Sequence, residues 1–183
     1  MPSRELRDFF GDTRSKLVGF FNAPNSTQVS LPADGAGSSI QFATKTADQM
    51  LRDLNLLVNT IVESTKEVEI PDTLLLPTVI YDIVATKRIG VDSNNTVLKF
   101  FLDTNPYIKD VEPVVKLTGA GAGATNRAIA YHRSDMKLTM EIPMDITSHE
   151  PEKRGLEYIV NMESRFAGVL FYKPASIAVA DGL

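Results

Sequence analysis

Between residues 47 and 64 apolar side chains return every three or four positions, at Met50, Leu51, Leu54, Leu57, Val58, Ile61 and Val62. That spacing lines one face of an α-helix and predicts a long amphipathic helix over the stretch. Its start is marked by Thr46 and Gln49, three residues apart. This is the pattern of a capping box, in which hydroxyl and amide each satisfy a backbone N–H left unpaired by the first turn. Ile70-Pro71-Asp72 then breaks the period, and Leu74 to Leu76 read as a short buried strand. Pro77 stands where a first helical residue tolerates a missing N–H, which predicts a second helix over 77–86. A third helix is predicted over 96–103, burying Val97, Leu98, Phe101 and Leu102, capped by Asn94 or Asn95 and ended by Asn105-Pro106.

After Pro106 the period shortens. Residues 111–117, 127–131, 137–142, 157–162 and 168–172 are short runs rich in β-branched and aromatic side chains, and Leu138, Met140 and Ile142 alternate strictly. Helices first and strands later predict an α+β fold with helices packed on largely antiparallel strands. Ahead of the long helix, residues 4–10 read as the last turns of a helix stopped by Gly11. Leu17, Val18, Phe20 and Phe21 then run into the turn composition Ala23-Pro24-Asn25-Ser26, and residues 32–39 read as an exposed loop.

With 183 residues, 43% apolar and 23% charged, the chain has the make-up of a folding globular protein. A formal charge of −4 argues against a broad basic surface for wrapping nucleic acid, because such binding draws its affinity from Lys and Arg on phosphates. Cysteine is absent, which removes disulfides, thiolate nucleophiles and zinc–thiolate sites and is compatible with a reducing cytoplasm. No apolar run approaches the roughly 18 residues of a membrane span, and the opening Met1-Pro2-Ser3-Arg4-Glu5 lacks the apolar stretch of a signal peptide. Neither export by that route nor membrane insertion is expected, and no internal repeat is evident.

Gly119-Ala120-Gly121-Ala122-Gly123-Ala124 invites a nucleotide-site reading, since glycine lets backbone approach a phosphate. A dinucleotide fingerprint, however, needs glycine where Ala124 stands and a helix afterwards, and a Walker loop needs a lysine that the segment lacks. A mobile inter-strand loop is expected. His132 and His149 have no second imidazole at ligand spacing, and His149-Glu150-Pro151 reads as a loop, so both are expected to be solvated or partly buried. Asp8, Asp12 and Asp34 lie among glycines and make no calcium-type run of oxygens. No serine lies in a Gly-x-Ser-x-Gly elbow, and Phe100, Phe101, Phe166, Phe171 and Tyr172 sit in apolar runs as core or interface anchors. No catalytic, cofactor-binding or metal-binding residue is expected.

In order along the chain these pieces resemble the second half of a tailed-bacteriophage major capsid protein of the Hong Kong 97 type. Asp8-Phe9-Phe10-Gly11-Asp12 followed by Leu17-Val18-Gly19-Phe20-Phe21-Asn22 is similar to the family's stretch after its spine helix. The helix over 47–64 resembles the first helix of its axial domain, and Ile70 to Pro77 with Tyr81 resembles the strand and proline-started helix that follow. Glu163-Ser164-Arg165-Phe166-Ala167-Gly168-Val169 and then Tyr172-Lys173-Pro174-Ala175-Ser176-Ile177 resemble its closing strand pair.

The resemblance implies an α+β Hong Kong 97-like fold lacking the N-terminal arm, the extended hairpin loop and most of the spine helix. It divides the chain into residues 1–40 as a peripheral-domain remnant, 41–142 as the axial domain, and 143–183 as return strands. It implies a structural role with no catalysis and no cofactor: a homo-oligomer of pentamers and hexamers closing into an icosahedral capsid around DNA. Packaged DNA would be held only non-specifically, scaffold, portal or decoration proteins would be further partners, no membrane is involved, and assembly would take place in the bacterial host cytoplasm. Loops 88–95 and 119–126 are expected near subunit contacts. Two rivals follow from the same residues. One is an encapsulin-like nanocompartment shell enclosing a cargo enzyme, and the other is an enzyme that uses the 119–123 loop on a nucleotide.

Overall fold

Helix α1 (Ala47–Ser64) forms where the apolar period places it, and Met50, Leu54, Leu57, Val58 and Ile61 on its inner face are buried. Its capping box is present: the Thr46 hydroxyl accepts the Gln49 N–H at 3.4 Å and the Gln49 side chain accepts the Thr46 N–H at 2.7 Å. Helix α2 (Thr78–Thr86) begins one residue later than predicted, because Pro77 is the cap residue; its carbonyl takes the Tyr81 N–H at 2.8 Å. Helix α3 (Val97–Thr104) is capped by Thr96 and not by Asn94 or Asn95. The Thr96 hydroxyl reaches the Lys99 N–H at 3.3 Å, whereas the Asn95 carbonyl is turned back to the Ile89 N–H at 3.1 Å.

This computed structural model describes residues 19–23, 25–90 and 94–183. The expected helix end at 4–10, Gly11, Asp8, Asp12, Leu17 and Val18 lie outside the described residues. The strands in chain order are β1 (Thr27–Val29), β2 (Thr73–Leu76), β3 (Asp110–Pro113), β4 (Arg127–Tyr131), β5 (Leu138–Glu141), β6 (Met144–Ser148), β7 (Glu152–Arg154), β8 (Glu157–Ile159), β9 (Met162–Arg165), β10 (Gly168–Phe171) and β11 (Ile177–Asp181). The run predicted over 111–117 stops at Pro113, after which Val115–Leu117 is a 3₁₀ turn. The run predicted over 157–162 is divided between β8 and β9.

Contacts divide the chain into two compact units, residues 25–137 with 173–183, and residues 1–24 with 138–172. Strand β11 lies in the first of these units. That unit holds a five-stranded sheet in the order β1-β11-β4-β2-β3. It is mixed, with β1–β11 and β2–β3 parallel and β4 antiparallel to both neighbours, while over both units the described strand pairs are largely antiparallel, as expected. Helices α2 and α3 supply the long crossover that a parallel β2–β3 pair requires.

One face of this sheet is made small. Ala178 pairs with Ala130 and Ala180 with Ala128 across β11 and β4, and all four are fully buried in one core with Leu74, Leu76 and the inner face of α1. Alanines leave room for the leucines, Met50 and Ile61 of α1 to sit directly on the strands at the packing density of a protein interior. The core is completed by Ile80 and Val84 of α2, Val97 and Phe101 of α3, and Phe42.

A buried ion network ties the 32–45 segment to α1. Lys45, fully buried, pairs with the equally buried Asp53 and donates to the Pro32 carbonyl at 2.8 Å. Arg52 bridges Asp53 at 2.8 Å and Asp34 at 2.6 Å, and Lys87 donates to the Lys45 carbonyl. A charge pair taken out of water is held by such added hydrogen bonds, and removing one partner strands the other.

The second unit contains an antiparallel ribbon: β5 with β10, β6 with β9, and β7 with β8, closed by a two-residue turn at Gly155-Leu156 in which Gly155 has φ +71°. That positive φ is the reason for a glycine at this corner. Phe20 and Phe21 are buried in this unit, and the Phe20 ring stacks on Phe171 at 6.4 Å. Among the described residues no helix is long and apolar enough to cross a membrane.

Because the helix–sheet seam depends on small side chains, Ala130→Leu should destabilise the chain by about 1–3 kcal/mol through overpacking. Urea denaturation followed by circular dichroism measures this, and a similar substitution at exposed Ala36 should be near neutral.

Candidate functional site

The Gly119–Ala124 segment does cradle an anion, and the anion is the protein's own. It joins the 3₁₀ turn Val115–Leu117 to β4 and ends in a 3₁₀ turn, Ala122–Ala124, with Gly119 and Gly123 at φ +72° and +67°. The Ala122 N–H donates to Asp181 Oδ2 at 3.1 Å. Arg127 at the start of β4 grips the same carboxylate in two places, Nε to Oδ1 at 2.6 Å and Nη2 to Oδ2 at 2.7 Å. Gly121 is needed for closeness: a Cβ there would stand 2.9 Å from Asp181 Oδ1 and 2.7 Å from Thr125 Oγ1. Burial pushes the Asp181 carboxyl up, but the Arg127 guanidinium and the Ala122 N–H outweigh it and hold it below the usual carboxylate range. The mobile loop expected from sequence is thus a fastened one, and the glycines serve an internal ion pair.

A second carboxylate is anchored in the same unit. Glu69, almost fully buried between α1 and β2, pairs with Lys137 and with Lys173, the latter at 3.1 Å. These two lysines are the last residue before and the first residue after the 138–172 stretch of the other unit. Burial raises the Glu69 carboxyl, and hydrogen bonds and charge from Lys137 and Lys173 more than reverse this, so it too lies below its ordinary value. Glu69 therefore joins the two chain segments of the first unit, one ending at Lys137 and the other beginning at Lys173.

The remaining candidates stay apart. His132 Nδ1 meets the Ile70 carbonyl at 2.5 Å, and His149 lies 3.6 Å from Glu163 on the ribbon. Asp34 belongs to the Lys45 and Arg52 network. Phe101 is fully buried and Phe100 half-exposed on the outer side of α3. An open groove of about 570 Å³ is lined by Ala43 to Ala47 and by Lys87 to Gly90. Lys45 and Lys87 are already engaged there, and neither carboxylate nor imidazole lines it. Among the described residues no group of His, Asp and Glu could hold a metal ion.

What the described surface does offer is apolar side chains concentrated on the ribbon. Ile142, Ile146, Leu156, Tyr158, Val160, Met162, Leu170 and Tyr172 are all exposed within 138–172. The family model described as Major capsid protein matches residues 6–183. The chain belongs to this family. As a capsid structural subunit it is a component of the virion capsid, and its role is structural and not enzymatic. The capsid of the Myoviridae phage XM1 has the same fold, with a TM-score of 0.79 at 22% identity over 96% of this chain and 58% of that one. A virus-like particle from Pyrococcus furiosus matches with a TM-score of 0.55 at 14% identity, over 86% of this chain and 57% of that one. Mycobacterium phage Ogopogo matches with a TM-score of 0.52 at 14% identity, over 94% of this chain and 58% of that one. This capsid protein thus spans less than two thirds of the length of each of these structures. No curated protein sequence matches it. The α+β, Hong Kong 97-like expectation holds.

Asp181 and Glu69 have folded-state pKa values lowered from the ordinary carboxylate range, so their stabilisation is complete above about pH 5 and is lost as the pH falls through those lowered values. Melting temperatures measured from pH 7 to pH 3 should fall at the acid end. Asp181→Asn should cost about 1–3 kcal/mol at neutral pH and flatten that fall, and millimolar ATP or GTP should leave the melting temperature of the wild-type chain unmoved.

Proposed function

We propose that this protein assembles with copies of itself into the pentamers and hexamers of an icosahedral tailed-phage shell that encloses DNA, built in the cytoplasm of a bacterial host. The observation that carries the reading is the family match over residues 6–183 together with the fold similarity to the phage XM1 capsid at a TM-score of 0.79. The physical logic agrees with it. Each subunit makes several contacts that are weak singly, and closure into rings and then a shell multiplies them, as heterologous interfaces allow when the rotation closes. The acidic balance suits non-specific enclosure of nucleic acid better than tight wrapping of it.

Within this reading residues 41–142 form the axial domain whose tip lies around five- and six-fold axes, and the peripheral domain draws on both ends of the chain. Loops 88–95 and 119–126 lie near subunit contacts. The first is closed at its base by the Arg88–Thr96 bridge, and the second is held in shape by Asp181. A loop held as the second one is suits a contact because little conformational freedom remains to be lost on association. Scaffold, portal or decoration proteins are further partners of the completed shell.

A nanocompartment shell around a cargo enzyme is the second reading, favoured by the likeness to the Pyrococcus furiosus virus-like particle. That likeness is the weaker one, 0.55 against 0.79. Negative-stain microscopy of the product purified from expressing bacteria separates these readings. Closed particles without a co-purifying cargo protein are expected. Monomers at every concentration would overturn the assembly reading, and particles filled with one stoichiometric cargo protein would favour the nanocompartment.

A further inference from the structure

The two long edges of the ribbon are built differently. On the β5–β6–β7 side, Pro143 and Pro151 remove backbone donors, and the register slips twice. One slip lies between Met144 and Thr147, and the other between Ser148 and Glu152, where four residue steps (148 to 152) face three (162 to 159). Prolines and bulges are the devices that keep an edge strand from pairing with another chain. On the β8–β9 side, residues 156–171 contain no proline, and the extra residue of each slip lies on the opposite strand. Among the described residues β8 and β9 pair only with β7 and β6, so this edge is open.

The open edge also carries the apolar stripe. Leu156, Tyr158, Val160 and Met162 alternate with Glu157, Ile159, Asn161 and Glu163, which sets the first four on one face. Met162 lies opposite Ser148, which brings Ile146 to the same face. Tyr158 and Met162 are each 69% exposed, Ile146 62% and Val160 45%. Together with Leu156 these side chains expose on the order of 500 Å² of apolar surface, the scale at which a patch marks an interaction site. The Asn161 carbonyl accepts the His149 N–H at 2.9 Å and so points into the ribbon. By the pleat, the N–H and C=O groups of Val160 and Met162 point out of it.

We propose that a second copy of this chain docks here, edge to edge and antiparallel, about a two-fold axis through Asn161; the proposal rests on the assembly reading above and names one of its contacts. An identical partner continues the apolar face only in registers that match pleat parity. Centred on Val160, such a register sets Glu157 against Glu163 twice. Centred on Asn161, it sets Glu157 against Arg165 twice and Val160 against Met162 twice. Opposite charges across strands stabilise and like charges repel, so the sequence favours the Asn161 register. Arg165 is 70% exposed and, among the described residues, shares its guanidinium with Glu163 of its own strand, at 3.0 Å, which leaves donors for the partner's Glu157.

Cross-linking tests the register. At the axis the two copies of residue 161 form a non-hydrogen-bonded pair with Cα atoms about 4.5 Å apart, within disulfide reach. The native chain has no cysteine to compete. Under mild oxidation Asn161→Cys should give a covalent dimer on a non-reducing gel, and Ser148→Cys, on the guarded strand, at least tenfold less. Adding Val160→Pro or Glu157→Arg to Asn161→Cys should suppress the dimer at least tenfold with the circular dichroism spectrum unchanged. Adding Arg165→Glu to the Glu157→Arg variant should restore it. A dimer that forms equally from Ser148→Cys, or persists with Val160→Pro, overturns the proposal. So does absence of the dimer from Asn161→Cys, including the case where some other strand covers the edge. Microscopy of the same samples keeps the two ideas apart: particles without this cross-link refute the edge contact alone, and the cross-link without particles refutes the shell alone.

Discussion

The contact on which the first unit depends is the seating of α1 on an alanine-lined sheet. Ala128, Ala130, Ala178 and Ala180 come from two strands distant in sequence, and their size brings a helix with four large apolar side chains against the strands. The two strands are neighbours in the sheet although residues 138–172, which belong to the other unit, lie between them in the chain, so the first unit has to be held together across that gap. Glu69 meets this requirement electrostatically. One buried carboxylate holds both Lys137 and Lys173, and a carboxylate so held resists protonation and keeps the two segments of the unit together.

Rigidity at the seam is consistent with a part in a shell. A subunit that meets copies of itself at several places loses less on association when its loops are already ordered. The Gly119–Ala124 loop is an instance: a segment whose composition suggests freedom is fastened by the bidentate Arg127–Asp181 pair and a backbone donor. The buried charges of this protein are consumed internally in the same way, Lys45 by Asp53 and Glu69 by two lysines. Ionisable groups spent on holding loops in place are not available to activate a substrate, in keeping with the family's structural role.

Much of this was legible in the sequence where the signal is local. The period of three and four gave α1 to the residue, the Thr46–Gln49 spacing gave its cap, and the apolar runs gave β2 and β4. The failures were of a different kind. Thr96 displaced Asn94 and Asn95 as a cap because the choice turns on where the first helical residue falls, which propensity leaves open by one or two positions. The parallel pairing of β1 with β11 joins residues about 150 apart and leaves no local trace. Nor could spacing show that Lys45 reaches Asp53 or that Glu69 meets Lys173, since those pairs form only after the helix has docked. Most of the exposed stripe on the ribbon lies in the strand run read over 157–162, but such a run alone cannot tell a face turned to a core from one left open.

Hydrogen–deuterium exchange, read by mass spectrometry on dilute chain and on assembled material side by side, tests the central claim most directly. The account predicts that amides of 128–131, 177–180 and the inner turns of α1 are protected equally in both samples, while amides of 157–165 exchange quickly in the dilute chain and become protected on assembly. Equal exchange of 157–165 in the two samples, or a core at 128–131 that is ordered only in the assembly, would contradict it.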